Sequence, residues 1–325
     1  MKYDFITIGG ATEDITFYTN EGIVINNKDD ILRQRLLAFE YGAKIKINKA
    51  YSSFGGGAAN AAVCVSNLGF KSSVIVAIGE DTRGNKIINN FKKNKVDIDL
   101  IQKNKDIETG FSLLLVGQEN EHIVFSNRAA NKELKITEKE IKEINNANWV
   151  YMTSLSGKWR GVLQNIFRAK TKIAWNPGHI QLKAGIKILG RYLKKTEVLI
   201  LNKDETIELI MSDSKFRNKN NRFLNNIKNL LKILYQFGPK TIVITNGKFG
   251  ASAYDGKNFY EQPIIKEKKR IDTTGVGDVF GSTFVVGLEM FNGDIQKAME
   301  LSAKNTSSVI GEQGAQNGLL KKEQF

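Results

Sequence analysis

Apolar residues in this chain gather in short β-branched runs. Each run stops at glycine or polar residues, and most are followed by a stretch with helical spacing. Residues 5–8 run into Gly9-Gly10, 73–78 into Gly79, and 171–175 into Asn176-Pro177-Gly178. Residues 198–201 end at Asn202, and 241–245 at Asn246-Gly247. Continuous apolar strands of this kind belong in a parallel sheet covered on both faces. Between them the spacing predicts helices over 58–68, 83–94, 137–146 and 222–237. Strand–helix alternation predicts a doubly wound α/β fold with a mostly parallel central sheet.

Two segments break the alternation. Residues 14–54 are long and polar, with apolar pieces at 23–25 and 44–47. Residues 110–127 read as two strands, 111–116 and 122–125, joined by Gly117-Gln118-Glu119-Asn120, the pattern of a hairpin. Extended insertions in an α/β chain predict a small β-sheet lying over the edge of the main layer. Its unpaired edges would suit pairing with a second copy, so a homodimer through this sheet is the expected partner arrangement. With no internal repeat and three prolines, the chain shows no interdomain linker, and 1–325 reads as one domain.

Charge changes the picture less than its size suggests. The formal balance is +14, but lysine and asparagine are abundant throughout, with the densest basic runs at 92–105, 215–232 and 266–270. A nucleic-acid surface calls for basic residues on one stripe with aromatics between them, so no nucleic-acid partner is expected. The positive field instead favours entry of a polyanionic small molecule into a cleft. The one cysteine, Cys64, lies among Ala62, Val63 and Val65 and excludes an intramolecular disulfide or a cysteine metal cluster. No apolar run approaches the roughly 20 residues of a membrane span. The N-terminal segment reads as a first strand rather than a signal peptide. The expectation is a cytoplasmic protein without a membrane partner.

The chemistry concentrates in DTTGVGDVFGSTFVVGL, residues 272–288. Gly275-Val276-Gly277 precedes an apolar helix predicted over 279–288. Free N–H groups and the positive end of the helix dipole make such an entrance an anion site. Asp278 stands beside it. Alone it reads equally as a helix cap; with a phosphoryl group held at the glycines, it is placed to accept a hydroxyl proton.

Asp272-Thr273-Thr274-Gly275-Val276-Gly277-Asp278 resembles the C-terminal signature of the PfkB (ribokinase-like) carbohydrate kinase family, in which the Val276 position is commonly alanine. Four further pieces fall in that family's order. They are Gly9-Gly10-Ala11-Thr12-Glu13-Asp14, Gly55-Gly56-Gly57-Ala58-Ala59-Asn60, Asn202-Lys203-Asp204-Glu205, and Thr245-Asn246-Gly247-Lys248-Phe249-Gly250. The likeness runs from about residue 5 to about 315. It implies a ribokinase-like three-layer α/β/α sandwich with a β-sheet lid formed by insertions at about 14–54 and 108–128. It also implies ATP-dependent phosphorylation of a hydroxymethyl group on a small sugar or sugar-like acceptor, or alternatively on a nucleoside.

The resemblance assigns roles residue by residue. Asp278 would be the base, with Gly275, Val276 and Gly277 donating N–H groups to the transferred phosphoryl group. Asp14, Gly56, Gly57 and Asn60 would bind the acceptor. Asn202, Thr245, Gly247 and Asn305 would face ATP. Glu205 and Asn202 would hold Mg²⁺ through water, a role compatible with a capping box at the same two residues. Asp272 and Thr274 match a potassium site, and read equally as turn and cap residues. One departure concerns the central strand, where 151–155 offers only Ser154 in place of the glutamate found in true ribokinases. Another is the 14–54 insertion with Arg33-Gln34-Arg35, longer than the simplest lid and placed to reshape the acceptor pocket or meet another subunit.

Overall fold

The apolar runs assemble as their continuity requires. In the computed structural model, which describes residues 2–26, 35–117, 122–267 and 269–325, eight strands form one sheet. In spatial order they are Phe259–Gln262, Ala251–Tyr254, Thr241–Thr245, Val198–Asn202, Lys172–Trp175, Trp149–Met152, Phe5–Ile8 and Ser72–Ile75. Six are mutually parallel, and the pair closing the far edge is antiparallel.

Both faces of this sheet are dry. Ile6, Val150, Ile173, Leu199 and Ile242 pack into one core with the helices Glu138–Asn145, Trp159–Ile166, Ile186–Leu193 and Ile227–Gln236. Their strand neighbours Phe5, Trp149, Ala174, Val198 and Val243 pack into the other with Gly57–Asn67, Thr82–Lys93, Val276–Met290 and Ile295–Ile310. The alternation of period two that sends successive side chains to opposite faces produces both cores at once. The three-layer α/β/α architecture is as expected.

The interrupting segments form a second, four-stranded sheet in the order His122–Asn127, Phe111–Val116, Thr12–Tyr18, Lys49–Gly55. A separate pair, Ile23–Asn26 with Arg35–Ala38, extends from it in sequence. Register puts Asp14 opposite Ser53 and Ser112, Thr16 opposite Tyr51 and Leu114, and Tyr18 opposite Lys49 and Val116. One face therefore carries Asp14, Thr16 and Tyr18 in a row with their cross-strand partners. Arg33, Gln34 and the turn at 118–120 lie outside the described residues.

Four expectations are corrected. The run 73–78 is two strands, because the chain leaves the main sheet after Ile75 and Ala77–Gly79 pairs with Gln102–Asn104. The stretch 222–237 is two helices, Asn221–Leu224 and Ile227–Gln236, the second opened by the Asn226 side chain accepting from Asn229 N–H. The apolar piece 44–47 is not a strand; pairing begins at Lys49, next to Tyr18. The helix predicted from 279 begins at Val276. Among the described residues no helix is long and apolar enough to cross a membrane.

Candidate functional site

Polar residues collect where the parallel strands end at their carboxyl side, the place ligands occupy in open α/β sheets. The helix Val276–Met290 starts there. Its N-cap is Gly275, at φ +72° in the left-handed region, where a side chain costs about 1–2 kcal/mol. The cap is also crowded: a Cβ on Gly275 would sit 2.3 Å from that of Ala315. Asp278 is therefore the third residue inside the helix, not its cap. The first N–H groups of a helix precede any intrahelical acceptor. Val276 N–H leans on Thr273 O at 3.4 Å, whereas a Cβ on Gly277 would meet nothing within 4 Å. The helix entrance is open at Gly277.

Asp278 follows Gly277 in the first turn of this helix, its side chain partly buried. Asn60, on the helix Gly57–Asn67, donates to its Oδ2 at 2.8 Å. Burial pushes the Asp278 carboxyl above the ordinary aspartate range, the Asn60 bond opposes that rise, and the Asp14 charge adds to it. Asp14 is itself raised by burial, against hydrogen bonds from Ser112 and Thr12, with Arg128 lowering and Asp272 raising it. Glu205 is raised by burial as well, against its bond from Asn202 N–H, with Asp278 among the charges that raise it. Burial and a neighbouring carboxylate therefore raise all three: Asp14 acts on Asp278, Asp272 on Asp14 and Asp278 on Glu205.

Two cavities flank this point. One, of about 260 Å³, lies between Thr245, Gly247 and Lys248 on one side and Ala303, Thr306 and Ser307 on the other, with Gly277 in its wall. The Thr306 hydroxyl is buried there without a hydrogen-bond partner. The second, of about 330 Å³, lies between the smaller sheet and the loop before the helix, lined by Thr16, Tyr18, Tyr51, Leu114 and Asp272–Thr274. Tyr18 and Tyr51 stack in it with ring centroids 6.0 Å apart. Thr273 and Arg270 line both cavities, so the two spaces meet beside the helix entrance.

The structure distributes the expected residues unevenly. Thr245 and Gly247 line the first cavity. Asn202 and Glu205 form a reciprocal capping box, Glu205 N–H donating to Asn202 Oδ1 at 2.8 Å and Asn202 N–H to Glu205 Oε2 at 2.9 Å. Asp272 accepts from Thr274 N–H at 2.8 Å and from Gly314 N–H at 2.9 Å, tying its turn to the C-terminal loop. Asp14 accepts from the Thr12 hydroxyl at 2.9 Å.

Gly56, at φ +90°, has the Gly10 carbonyl 2.4 Å from where a Cβ would lie, so no side chain fits there. One reading changes. Asn305 does not reach the first cavity: it is fully buried, donating to the Thr283 hydroxyl at 2.8 Å and accepting from Leu320 N–H at 2.8 Å. Helical spacing sets Ala303, Thr306, Ser307 and Ile310 on the cavity side instead. That face was readable from the period of the sequence, whereas Tyr51, Arg270 and Gln316 carried no local signal.

The model of the "pfkB family carbohydrate kinase" matches residues 29–322. A ribokinase of Dictyostelium discoideum is 25% identical over 301 residues, covering 87% of this chain and 92% of that protein. A nucleoside kinase of Methanocaldococcus jannaschii is 24% identical over 281 residues, 86% of each. The ribokinase of Arabidopsis thaliana, solved with ribose and ATP, superposes with a TM-score of 0.80 at 18% identity, over 99% of this chain and 97% of that one. The chain belongs to the pfkB family of carbohydrate kinases and is an ATP-dependent phosphotransferase with an alcohol group as acceptor.

Proposed function

We propose that the chain transfers the γ-phosphoryl group of ATP to the hydroxymethyl group of a small polyhydroxylated acceptor, a sugar in the first reading, with Asp278 as the base. The observation that carries this is the meeting of two cavities at the helix entrance beside Asp278. ATP would occupy the cavity at Thr245 and Gly247, with Thr306 offering its unpaired hydroxyl. The acceptor would lie under the smaller sheet, acting as the lid, with its hydroxyls toward Asp14. Because Asn60 occupies Oδ2 of Asp278, Oδ1 is the oxygen left to take the acceptor proton. As that O–H bond breaks, the acceptor oxygen attacks phosphorus and ADP leaves. Charge growing on the phosphoryl oxygens would meet the Gly277 amide and the helix dipole. Closure of the lid would exclude water, which otherwise competes as acceptor.

Asn202 and Glu205 would hold Mg²⁺ through its water shell, since Mg²⁺ keeps several waters beside nucleotide phosphates; bound there, it would neutralise phosphate charge. Asp272 and Thr274 would take potassium through the lone pairs their turn leaves free, which turnover in potassium against sodium checks. A homodimer through the smaller sheet is part of the reading, supported by the exposed Ile123, Val124 and Phe125 on its edge strand His122–Asn127, and sedimentation tests it.

A second reading, a nucleoside acceptor, is favoured by the Tyr18–Tyr51 stack beside Leu114 and Val116, an apolar, aromatic end beyond the polar one at Asp14. ATP consumption measured across pentoses, hexoses, sugar acids and nucleosides decides between the two. Turnover of sugars that survives Tyr51→Ala supports the first; nucleoside turnover abolished by it supports the second. ATP binding with no acceptor turned over would overturn both.

A further inference from the structure

The base does not stand on Asn60 alone. Gln316 donates through Nε2 to Asn60 Oδ1 at 3.1 Å, and Asn90 donates through Nδ2 to Gln316 Oε1 at 2.7 Å. Asn94 in turn donates to Asn90 Oδ1 at 3.2 Å. The result is a line of amides drawn from a surface helix, Thr82–Lys93 with its C-cap Asn94, through the C-terminal loop to the helix Gly57–Asn67, ending on Asp278.

The direction of this line is fixed by charge. An ionised carboxylate only accepts hydrogen bonds, so Asn60 must face Asp278 with its NH₂. Its carbonyl oxygen then points away, buried in a residue 3% exposed, and a buried acceptor without a donor bears its full desolvation cost. Gln316 supplies that donor, and having spent its NH₂ on Asn60 it needs one for its own oxygen. Asn90 supplies that. Every amide is oriented by the next, and reversing one breaks two bonds.

We propose that Gln316 and Asn90 are positioning residues of the transfer: acting through Asn60, they lock an N–H donor onto Asp278 Oδ2 and so hold Oδ1 toward the acceptor hydroxyl. The proposal rests on Asp278 being the base. It also explains how the base resets. Once Asp278 carries the acceptor proton, its O–H finds no acceptor in Asn60, whose NH₂ is held in place, so the protonated form is not trapped.

Titratable groups face Asp278 from each neighbouring element. Asp14 of the smaller sheet and Glu205 after the strand Val198–Asn202 are acidic. Tyr151 of the central strand and Cys64 of the helix Gly57–Asn67 are held neutral, burial raising both. None of these supplies a positive charge, which leaves the Asn60 amide as the group that opposes the Asp278 rise.

The test is a double-mutant cycle of Gln316→Met, which keeps length but removes the donor, against Asn60→Ala, with Asn90→Ala as a milder perturbation from the protein surface. Two readouts are taken on the full chain: kcat, and the titration of the ¹³C-labelled Asp278 carboxyl. Gln316→Met is expected to lower kcat roughly 10-fold, the worth of one lost hydrogen bond in the line, and to move the Asp278 titration to higher pH. Asn90→Ala moves both in the same direction by less. In the Asn60→Ala background, Gln316→Met changes neither. Additive effects of Gln316→Met and Asn60→Ala, or an unmoved titration in folded Gln316→Met protein, overturn the proposal. If Asp278→Asn retains full turnover, the base assignment falls; the titration then still decides whether the amides hold the carboxylate. Should Gln316→Met not fold, Asn90→Ala carries the same two readouts.

Discussion

Two glycines two residues apart at the helix entrance are predicted to answer the same substitution in opposite ways. At Gly277 a methyl group meets nothing within 4 Å. Alanine is the better helix former by about 0.5–1 kcal/mol, so Gly277→Ala should leave melting unchanged or raise it by about 1–4 °C, at 2–4 °C per kcal/mol. The methyl would occupy the open approach to the backbone amide, where the phosphoryl group is proposed to sit. Loss of one such donor costs roughly 10²–10³ in kcat.

At Gly275 the same methyl is forced into a left-handed position, at about 1–2 kcal/mol. It would stand 2.3 Å from the Ala315 Cβ, against an ordinary separation of about 3.5–4.0 Å; relieving that overpacking costs about another 1–3 kcal/mol. Gly275→Ala should therefore melt at least about 4 °C lower. The assay is thermal melting beside steady-state turnover of both variants. A stable Gly277→Ala protein with wild-type kcat would refute the anion-hole reasoning. A Gly275→Ala protein as stable as the parent would refute the strain and packing argument at the cap.

Acid should silence the enzyme before it unfolds it. Burial, first, and mutual repulsion raise Asp278, Asp14 and Glu205, so in the folded state they take up protons at a pH where the unfolded chain does not. Protonation there favours the fold while removing the base. Glu13 and Asp81 sit below their usual values: burial works against each, but Lys86 and Ser52 outweigh it at Glu13, and the bonds from Thr109 and Gly84 at Asp81. Their stabilisation is lost only as pH falls below the ordinary carboxylate range. A pH–rate profile beside a pH–melting profile should show kcat/KM falling first; parallel loss of both would contradict the assignment. At the capping box, Asn202→Ala removes the bond to Glu205 N–H and should cost about 1 kcal/mol. Glu205→Gln keeps an acceptor for Asn202 N–H, so it should melt normally while needing more Mg²⁺ for half-maximal rate.

Much of this was legible along the chain. Five of the eight strands of the main sheet followed from apolar continuity, and the hairpin 111–127 from its pattern; the antiparallel pair Ala251–Tyr254 and Phe259–Gln262 has no such run and was not foreseen. Helix beginnings were less readable: the run after Val279 marks the buried part of its helix, but a left-handed glycine cap at Gly275 leaves no apolar signature. Asn226 likewise opens a second helix inside one unbroken apolar period. Asn305 was misplaced because its role was carried over from the family resemblance instead of read from its helix face; the period shared with Ala298, Leu301 and Val309 already set it in the core. Contacts spanning more than two hundred residues, such as Asn90 with Gln316 and Gln316 with Asn60, carry no spacing signal at all. They exist only once the C-terminal loop has folded back over the helix Gly57–Asn67.

The central claim, that Asp278 takes the acceptor proton, is tested most directly by Asp278→Asn. Turnover of ATP with the acceptor found in the screen should fall by about 10²–10⁴ while ATP still binds. Melting should not fall, because a buried charge that Asp14 and Glu205 repel has been removed. Near-normal turnover in this variant would contradict the account.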